Sequence, residues 1–218
     1  MYKRGLKPGL DFVIVFIALL VIWPILLLLI IFLHFTNKGA GVFFTQDRSG
    51  KNARIFKAIK FKTMTDERDS EGNLLPDAER LTKIGKIVRS FSIDELPQLI
   101  NVLKGDMSVV GPRPEMLANV FNYTSVLPEF EYRLRVKAGI TGHAQIAGKY
   151  NTSPKDKLIL DLTYIEEYSF WLDIKLLFQT LIVLFKKDST EAFHRGEELV
   201  FEEYQPPESV NPPVEETE

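Results

Sequence analysis

The chain contains no cysteine, which excludes disulfides, thiolate nucleophiles and cysteine-based metal sites. It has only three histidines. One of them, His143, has no partner readable from the sequence and is not taken as a metal ligand. Net charge is also scarce, with 27 basic residues against 29 acidic ones. The balance is uneven along the chain. Ten of the acidic residues and one of the basic ones lie from Asp188 onward, leaving 26 basic against 19 acidic residues in 1–187. A body with a net charge of about +7 suits phosphate ligands and an anionic membrane face, or simply aids solubility. The acidic, proline-rich stretch 188–218 is expected to be a poorly ordered tail, in which LVFEEY at 199–204 is able to dock. At 218 residues there is room for one domain with a real core, plus extras.

What is present first is a long apolar run. Residues 12–33, FVIVFIALLVIWPILLLLIIFL, carry no charge and are long enough to span a bilayer. No small-residue cleavage site follows, so the run does not fit a signal peptide. Pro24, near the middle, removes a backbone donor and clashes with the preceding turn. Lys3, Arg4 and Lys7 precede the run and Lys38 follows it, which fits two cytoplasmic ends. The pattern admits either a kinked spanning helix or a helix–break–helix that enters one leaflet and returns.

Residues 42–45 and 53–63 are predicted strands of a hairpin, joined by a turn with Asp47, Ser49, Gly50 and Asn52. Gln46, Arg48, Lys60 and Lys62 would form its polar side. Residues 66–77 form a loop, and 78–89 have helical spacing through Leu81, Ile84, Ile87 and Val88. Arg89 ends that helix, either as a C-terminal charge or as a partner for a phosphate or carboxylate. Residues 115–134 are predicted helical with an interruption at Pro128. Residues 137–148, KAGITGHAQIAG, form a glycine-punctuated loop. A charged amphipathic helix follows over 155–168. The more apolar helix over 170–185 contains Asp173 and Lys175, which disfavours a membrane span. It is either interfacial, with Phe170 and Trp171 at the lipid boundary, or a core helix.

The chain is organised around residues 89–114, RSFSIDELPQLINVLKGDMSVVGPRP. Pro97 is tolerable only in a first helical turn, so a helix begins just before it. Leu96, Leu99, Ile100 and Leu103 recur at helical spacing, and Gly105 and Asp106 end the helix. Asp94 and Glu95 thus sit at a helix N-terminus. Ser92 to Glu95 has the form of a capping box, so plain capping is one reading of the pair. Pro112 and Pro114 stiffen Arg113, and a stiffened guanidinium suits a phosphate, with a surface turn as the plainer reading.

Together these residues resemble the signature of the bacterial sugar transferase family, the monotopic phosphoglycosyl transferases. The matching pieces are FTQDRSG at 44–50, FKTM at 61–64, GKIVRSFSIDELPQLINVLKGDMSVVGPRP at 85–114, GITG at 139–142, and Ala144 with Gln145. The resemblance implies an α+β, mostly helical fold with an N-terminal re-entrant membrane helix broken at Pro24, a small antiparallel β-hairpin and amphipathic interfacial helices. It divides the chain into a membrane-inserted element over 1–36, a cytoplasmic catalytic domain over 37–187 and the tail over 188–218. It implies transfer of a sugar 1-phosphate from a UDP-sugar to undecaprenyl phosphate at the bacterial inner membrane, starting a membrane-linked glycan. The implied partners are those two substrates and the lipid bilayer, with downstream glycosyltransferases and no nucleic acid. Asp94 is the implied nucleophile in a ping-pong reaction, and Glu95 sits beside Mg2+ with it. Arg48, Lys60, Arg89, Pro112, Arg113, Gly142 and Gln145 are the implied substrate contacts.

The sequence departs from the family pattern at Trp23, where serine is frequent, and at Ala138, His143, Ala147 and Lys149. The altered loop motivates an alternative, a catalytically inactive membrane-bound scaffold or regulator that keeps the fold. The intact Asp94-Glu95 pair and GPRP argue for the enzyme. A spanning receptor with an external domain is disfavoured by the flanking lysines.

Overall fold

The computed structural model describes residues 2–147 and 153–184. The expected tail over 188–218 and Lys149 lie outside the described residues. The fold is mostly helical, as expected. After a π turn at Tyr2–Leu6 comes helix α1, Lys7–Thr36, with Pro8 in its first turn, where a missing N–H costs nothing. α1 is a single 30-residue element that continues through Pro24, a rise of about 45 Å at 1.5 Å per residue. The expected interruption therefore does not divide it into two helices. Proline deletes one ladder bond, and the apolar turns on either side keep theirs. Among the described residues α1 is the one helix long and apolar enough to cross a membrane.

Both ends of α1 dock on the body. Lys7, Asp11 and Val15 are buried at one end, Leu33 and Asn37 at the other, and no side chain between Val15 and Leu33 is buried. Lys7 pairs with Asp173 at 2.6 Å, and Asp11 accepts from the Ser108 hydroxyl at 2.6 Å. Asn37 donates to the carbonyls of Gly41 at 2.8 Å and Lys62 at 2.7 Å, tying the helix exit to the hairpin.

The hairpin joins β1, Phe43–Ser49, to β2, Ile55–Phe61, in antiparallel register with Phe43 opposite Phe61 and Arg48 opposite Phe56. Its expected polar side is not wet. Arg48 is buried because the chain at Glu115 and Met116 covers the end of β1, with the Ser49 N–H on the Glu115 carbonyl. Lys60 is covered by the turn that carries the two carboxylates.

The single helix expected over 78–89 is two, α2 at Asp77–Arg80 and α3 at Lys83–Ser90. Thr82 separates them by capping α3, its hydroxyl accepting from the Gly85 N–H at 2.8 Å. α4, Gln98–Leu103, then turns a partly polar face inward, burying Gln98, Asn101 and Val102 while Ile100 is exposed. Asn101 bonds the Ile59 N–H and the Lys57 carbonyl, which satisfies the open edge of β2 and fixes α4 against it.

The glycine-punctuated stretch is not all loop. β4, Ala138–Thr141, pairs in parallel with β3, Met107–Val110, and leads into α6, His143–Ala147. The backbones approach so closely at Gly139 that a Cβ there would lie 2.1 Å from the Gly111 nitrogen. Between the strands run α5, Leu117–Val126, and a 3-10 stretch, Pro128–Arg135. α7, Pro154–Glu167, and α8, Phe170–Leu184, close the described fold. Val15, Phe56, Val102, Met107, Val110, Tyr164 and Leu176 share one core, so α1 and α8 belong to the same packed body as both strand pairs. α8 buries Asp173 and Leu176 and exposes Trp171, Ile174, Phe178, Leu181 and Ile182 at helical spacing.

Candidate active site

Asp94 and Glu95 lie in a 3-10 turn, Ile93–Glu95, ahead of α4 rather than in its first turn. The capping box expected at Ser92 does not form. Ser92 is left-handed at φ 55°, and its side chain caps nothing. That backbone twist turns both carboxylates inward, leaving Asp94 8% and Glu95 9% exposed. Burial of two adjacent carboxylates requires cations, and the fold supplies them from three separate elements.

Arg113, after β3, grips Glu95 with both arms of its fork, Nη2 to Oε1 at 2.6 Å and Nη1 to Oε2 at 2.8 Å. Lys60, from β2, reaches Oε1 at 3.0 Å. Burial alone would raise the Glu95 pKa, but the charges and hydrogen bonds of Arg113 and Lys60 together hold it well below the ordinary range. Asp94 behaves in the opposite way. Burial, then the charge of Glu95, push it up to about 6, against the opposing pull of Lys60, Arg89 and Arg113. Its Oδ1 is buried and has no hydrogen-bond partner among the described residues. Arg89, at the end of α3, donates its Nε to the buried Thr63 hydroxyl at 2.8 Å, and so faces this cluster from the end of a second helix. The two neighbouring carboxyls are therefore unlike. Glu95 is a fixed anion, and Asp94 is a buried carboxyl whose pKa is raised to about 6.

Of the residues singled out from sequence, Asp94, Glu95, Lys60, Arg89 and Arg113 come together. Pro112 lies in the loop that carries Arg113, and Arg48 binds that loop's backbone. Arg48 donates to the Pro114 carbonyl at 3.3 Å, and the Pro112 carbonyl accepts from the Gly139 N–H at 2.8 Å. Gly142 packs on backbone, where a Cβ would meet the Gly111 carbonyl oxygen at 2.2 Å. Gln145 turns its amide onto the Ile140 carbonyl at 3.0 Å.

Sequence reasoning missed a second charged group behind the same loop. Glu115 pairs with Lys157 at 2.9 Å and has its pKa lowered to about 2, the charges of Lys157 and Arg133 overcoming the effect of burial. Arg133 pairs with Asp161 at 2.7 Å. Glu115 directly follows the GPRP stretch and was findable on that ground. Arg133 and Asp161 are 28 positions apart and carry no local signal.

The profile of the bacterial sugar transferase family matches residues 2–187. Among curated proteins, the chain is 52% identical over 143 residues to the uncharacterized sugar transferase EpsL of Bacillus subtilis, covering 66% of this chain and 69% of that protein. It is 37% identical to the UDP-N-acetylgalactosamine-undecaprenyl-phosphate N-acetylgalactosaminephosphotransferase of Aeromonas hydrophila, covering 81% of this chain and 43% of the relative. It is 40% identical to the UDP-glucose:undecaprenyl-phosphate glucose-1-phosphate transferase of Klebsiella pneumoniae, covering 78% of this chain and 38% of the relative. The chain thus spans less than half the length of these last two relatives. A family match over the whole described body, carried on a stretch whose charged residues converge in space, places this chain in the bacterial sugar transferase family.

Proposed function

We propose that this protein transfers a sugar 1-phosphate from a UDP-sugar to undecaprenyl phosphate, releasing UMP, through a covalent intermediate on Asp94. The observation that carries this reading is the pairing of a buried, partner-free Asp94 oxygen with a Glu95 locked by Arg113 and Lys60. The substrate classes follow from the names of the relatives. An Asp94 oxygen attacks the sugar-side phosphorus. The bond from that phosphorus to the bridging oxygen breaks, and the bridging oxygen leaves with UMP. An oxygen of the lipid phosphate then attacks the same phosphorus and returns Asp94 to its carboxylate. Lys60, Arg89 and Arg113 neutralise the diphosphate as it approaches the two carboxylates.

The residues fit the divalent cation that this chemistry implies. Asp94 Oδ1 is a hard oxygen with no hydrogen-bond partner among the described residues, and Glu95 Oε2, which accepts from Arg113 Nη1, is a second hard oxygen on the adjacent residue. When bound, Mg2+ supplies charge neutralisation on the diphosphate. Two carboxylates against Lys60, Arg89 and Arg113 leave the site with an excess of positive charge, which favours a cation arriving together with a diphosphate.

UMP release from a panel of UDP-sugars, with undecaprenyl phosphate as acceptor, tests the reaction. Absence of release from every donor counts against it. The acid limb of the first half-reaction tests the nucleophile. Asp94 attacks only when ionised, so UMP formation in a single turnover should rise with pH through about 6 and level off above it. Glu95, held low, contributes nothing in that window. A rate that is flat between pH 5 and 8 contradicts Asp94 as the attacking group.

The membrane element enters the same reading. Both ends of α1 dock on one body, which supports a re-entrant element with both ends on the cytoplasmic face. The exposed apolar face of α8 supports an interfacial position beside it. Single cysteines introduced at positions 3 and 38 should both resist an impermeant external thiol reagent in intact cells. Labelling of just one of them from outside means that α1 spans. Pro24→Ala should shift the population toward the spanning form.

A further inference from the structure

Pro112, Arg113 and Pro114 have one backbone N–H among them, because proline has none. Such a segment is held chiefly through its carbonyls, and all three are taken. Pro112 accepts from the Gly139 N–H at 2.8 Å, Arg113 from Arg133 Nη2 at 2.9 Å, and Pro114 from Arg48 Nη1 at 3.3 Å. Two of the three donors are buried guanidinium groups. Arg133 is 3% exposed, with Asp161 Oδ2 at 3.0 Å from its Nε and 2.7 Å from its Nη2, and Glu115 at 3.8 Å from its Nη1. Phe130 lies 4.8 Å from its guanidinium carbon and closes the remaining side. Arg48 is fixed in turn by Gln46 at 2.6 Å.

We propose that Arg133, assisted by Arg48, is a positioning residue that aims the Arg113 guanidinium at Glu95 and the diphosphate by holding the Arg113 and Pro114 carbonyls. This rests on the reading of the dyad as a sugar-phosphate transfer site. The geometry demands an arginine. One planar fork bonds a carboxylate and a carbonyl at once, whereas a lysine ammonium keeps the ion pairs and loses the second aim. Asp161, on α7, and Glu115, held by Lys157 from the same helix, are the anchors of that fork. The path from α7 to the dyad therefore runs through Asp161, Arg133, the Arg113 backbone and Glu95.

The test is a double-mutant cycle on single-turnover UMP release, with thermal midpoints measured alongside. Arg133→Lys is expected to slow release about tenfold and Arg113→Lys about 100-fold, as misplacement by a fraction of an ångström or more does. If Arg133 acts through Arg113, the double variant is no slower than Arg113→Lys alone. The shape of the single-turnover trace gives a second readout. Arg133→Lys should lower the rate constant at saturating UDP-sugar and leave the amplitude equal to the enzyme present, with no further lowering of the rate constant in the double variant, whereas partial unfolding lowers the amplitude. Asp161→Asn, which loosens the anchor but keeps the guanidinium, carries the same cycle if Arg133→Lys does not fold. Multiplicative losses in the double variant overturn the proposal, and so does a loss that follows the thermal midpoint and appears in the amplitude while the rate constant stays unchanged. A wild type that releases no UMP from any UDP-sugar overturns the transfer reading instead.

Discussion

Asp94→Asn is expected to abolish turnover and to stabilise the fold. The amide is a poor nucleophile, so neither stoichiometric UMP release nor a mass increase equal to the sugar phosphate should appear when acceptor is omitted. The stability gain follows from the buried carboxyl. Its pKa in the folded protein is about 6 against an ordinary 3.8, through burial first and the Glu95 charge second. A group raised in the folded state stabilises it fully below the unfolded value and loses that contribution as pH rises through the folded value. Above pH 6 the ionised Asp94 therefore costs up to about 3 kcal/mol, at 1.36 kcal/mol for each pH decade. Asparagine removes that charge with little change of shape. At pH 7.5 the variant should be more stable by about 1 to 3 kcal/mol, with the gain vanishing below about pH 4. Denaturation of the purified protein at both pH values, beside intact mass after incubation with UDP-sugar and Mg2+, checks both halves. A capping role predicts the reverse, a loss of about 1 kcal/mol. An adduct on the asparagine variant would place the nucleophile elsewhere.

The parts of this protein that were legible in the sequence are those written in contiguous residues. The apolar run of α1, the hairpin and the two C-terminal helices each carry their own period or length. The convergence of Asp94, Glu95 and Arg113 was legible from the order of a long motif. What stayed hidden was set by contacts distant in sequence. β3 and β4 are four residues each, nearly all buried, and one contains Gly139, so neither alternates nor reaches a length that marks a strand. Ser92 fits a capping pattern, yet its left-handed backbone serves to turn the carboxylates inward. Arg48 shares a strand face with Gln46, as a wet residue of the polar side would, and is buried because residues 115–116 fold over it. Arg113 was expected at a phosphate, and its resting partner is Glu95. A fork that holds a carboxylate in the resting site is also placed to hold a phosphate beside it.

Glu95→Gln, one residue from Asp94, is expected to act in the opposite sense on stability and to move the acid limb that Asp94→Asn abolishes. Glu95 compensates Lys60 and Arg113, whose side chains are 12% and 25% exposed. Replacing one oxygen by an NH2 group turns an acceptor into a donor in front of a guanidinium and an ammonium. Removing one partner of a buried ion cluster typically costs about 3 to 5 kcal/mol, and the retained amide oxygen places this variant near the lower figure. Because Glu95 is held well below the ordinary carboxylate range, its contribution is present at neutral pH and lost only in strong acid, so the deficit should persist from pH 8 down to about 4. Glu95 is also the second cause of the raised Asp94 pKa. Without its charge the acid limb of UMP release should move below pH 6, while the plateau rate falls by about 100-fold as Arg113 loses its aim. The attachment site remains, so the adduct should still form, slowly, and the need for Mg2+ should weaken. Stopped-time mass spectra across pH, read with denaturation curves, separate the two carboxylates. If both variants shift stability in the same direction and Glu95→Gln leaves the acid limb near pH 6, the division into one reactive and one fixed carboxyl is wrong, and the pair acts as a single buried anion.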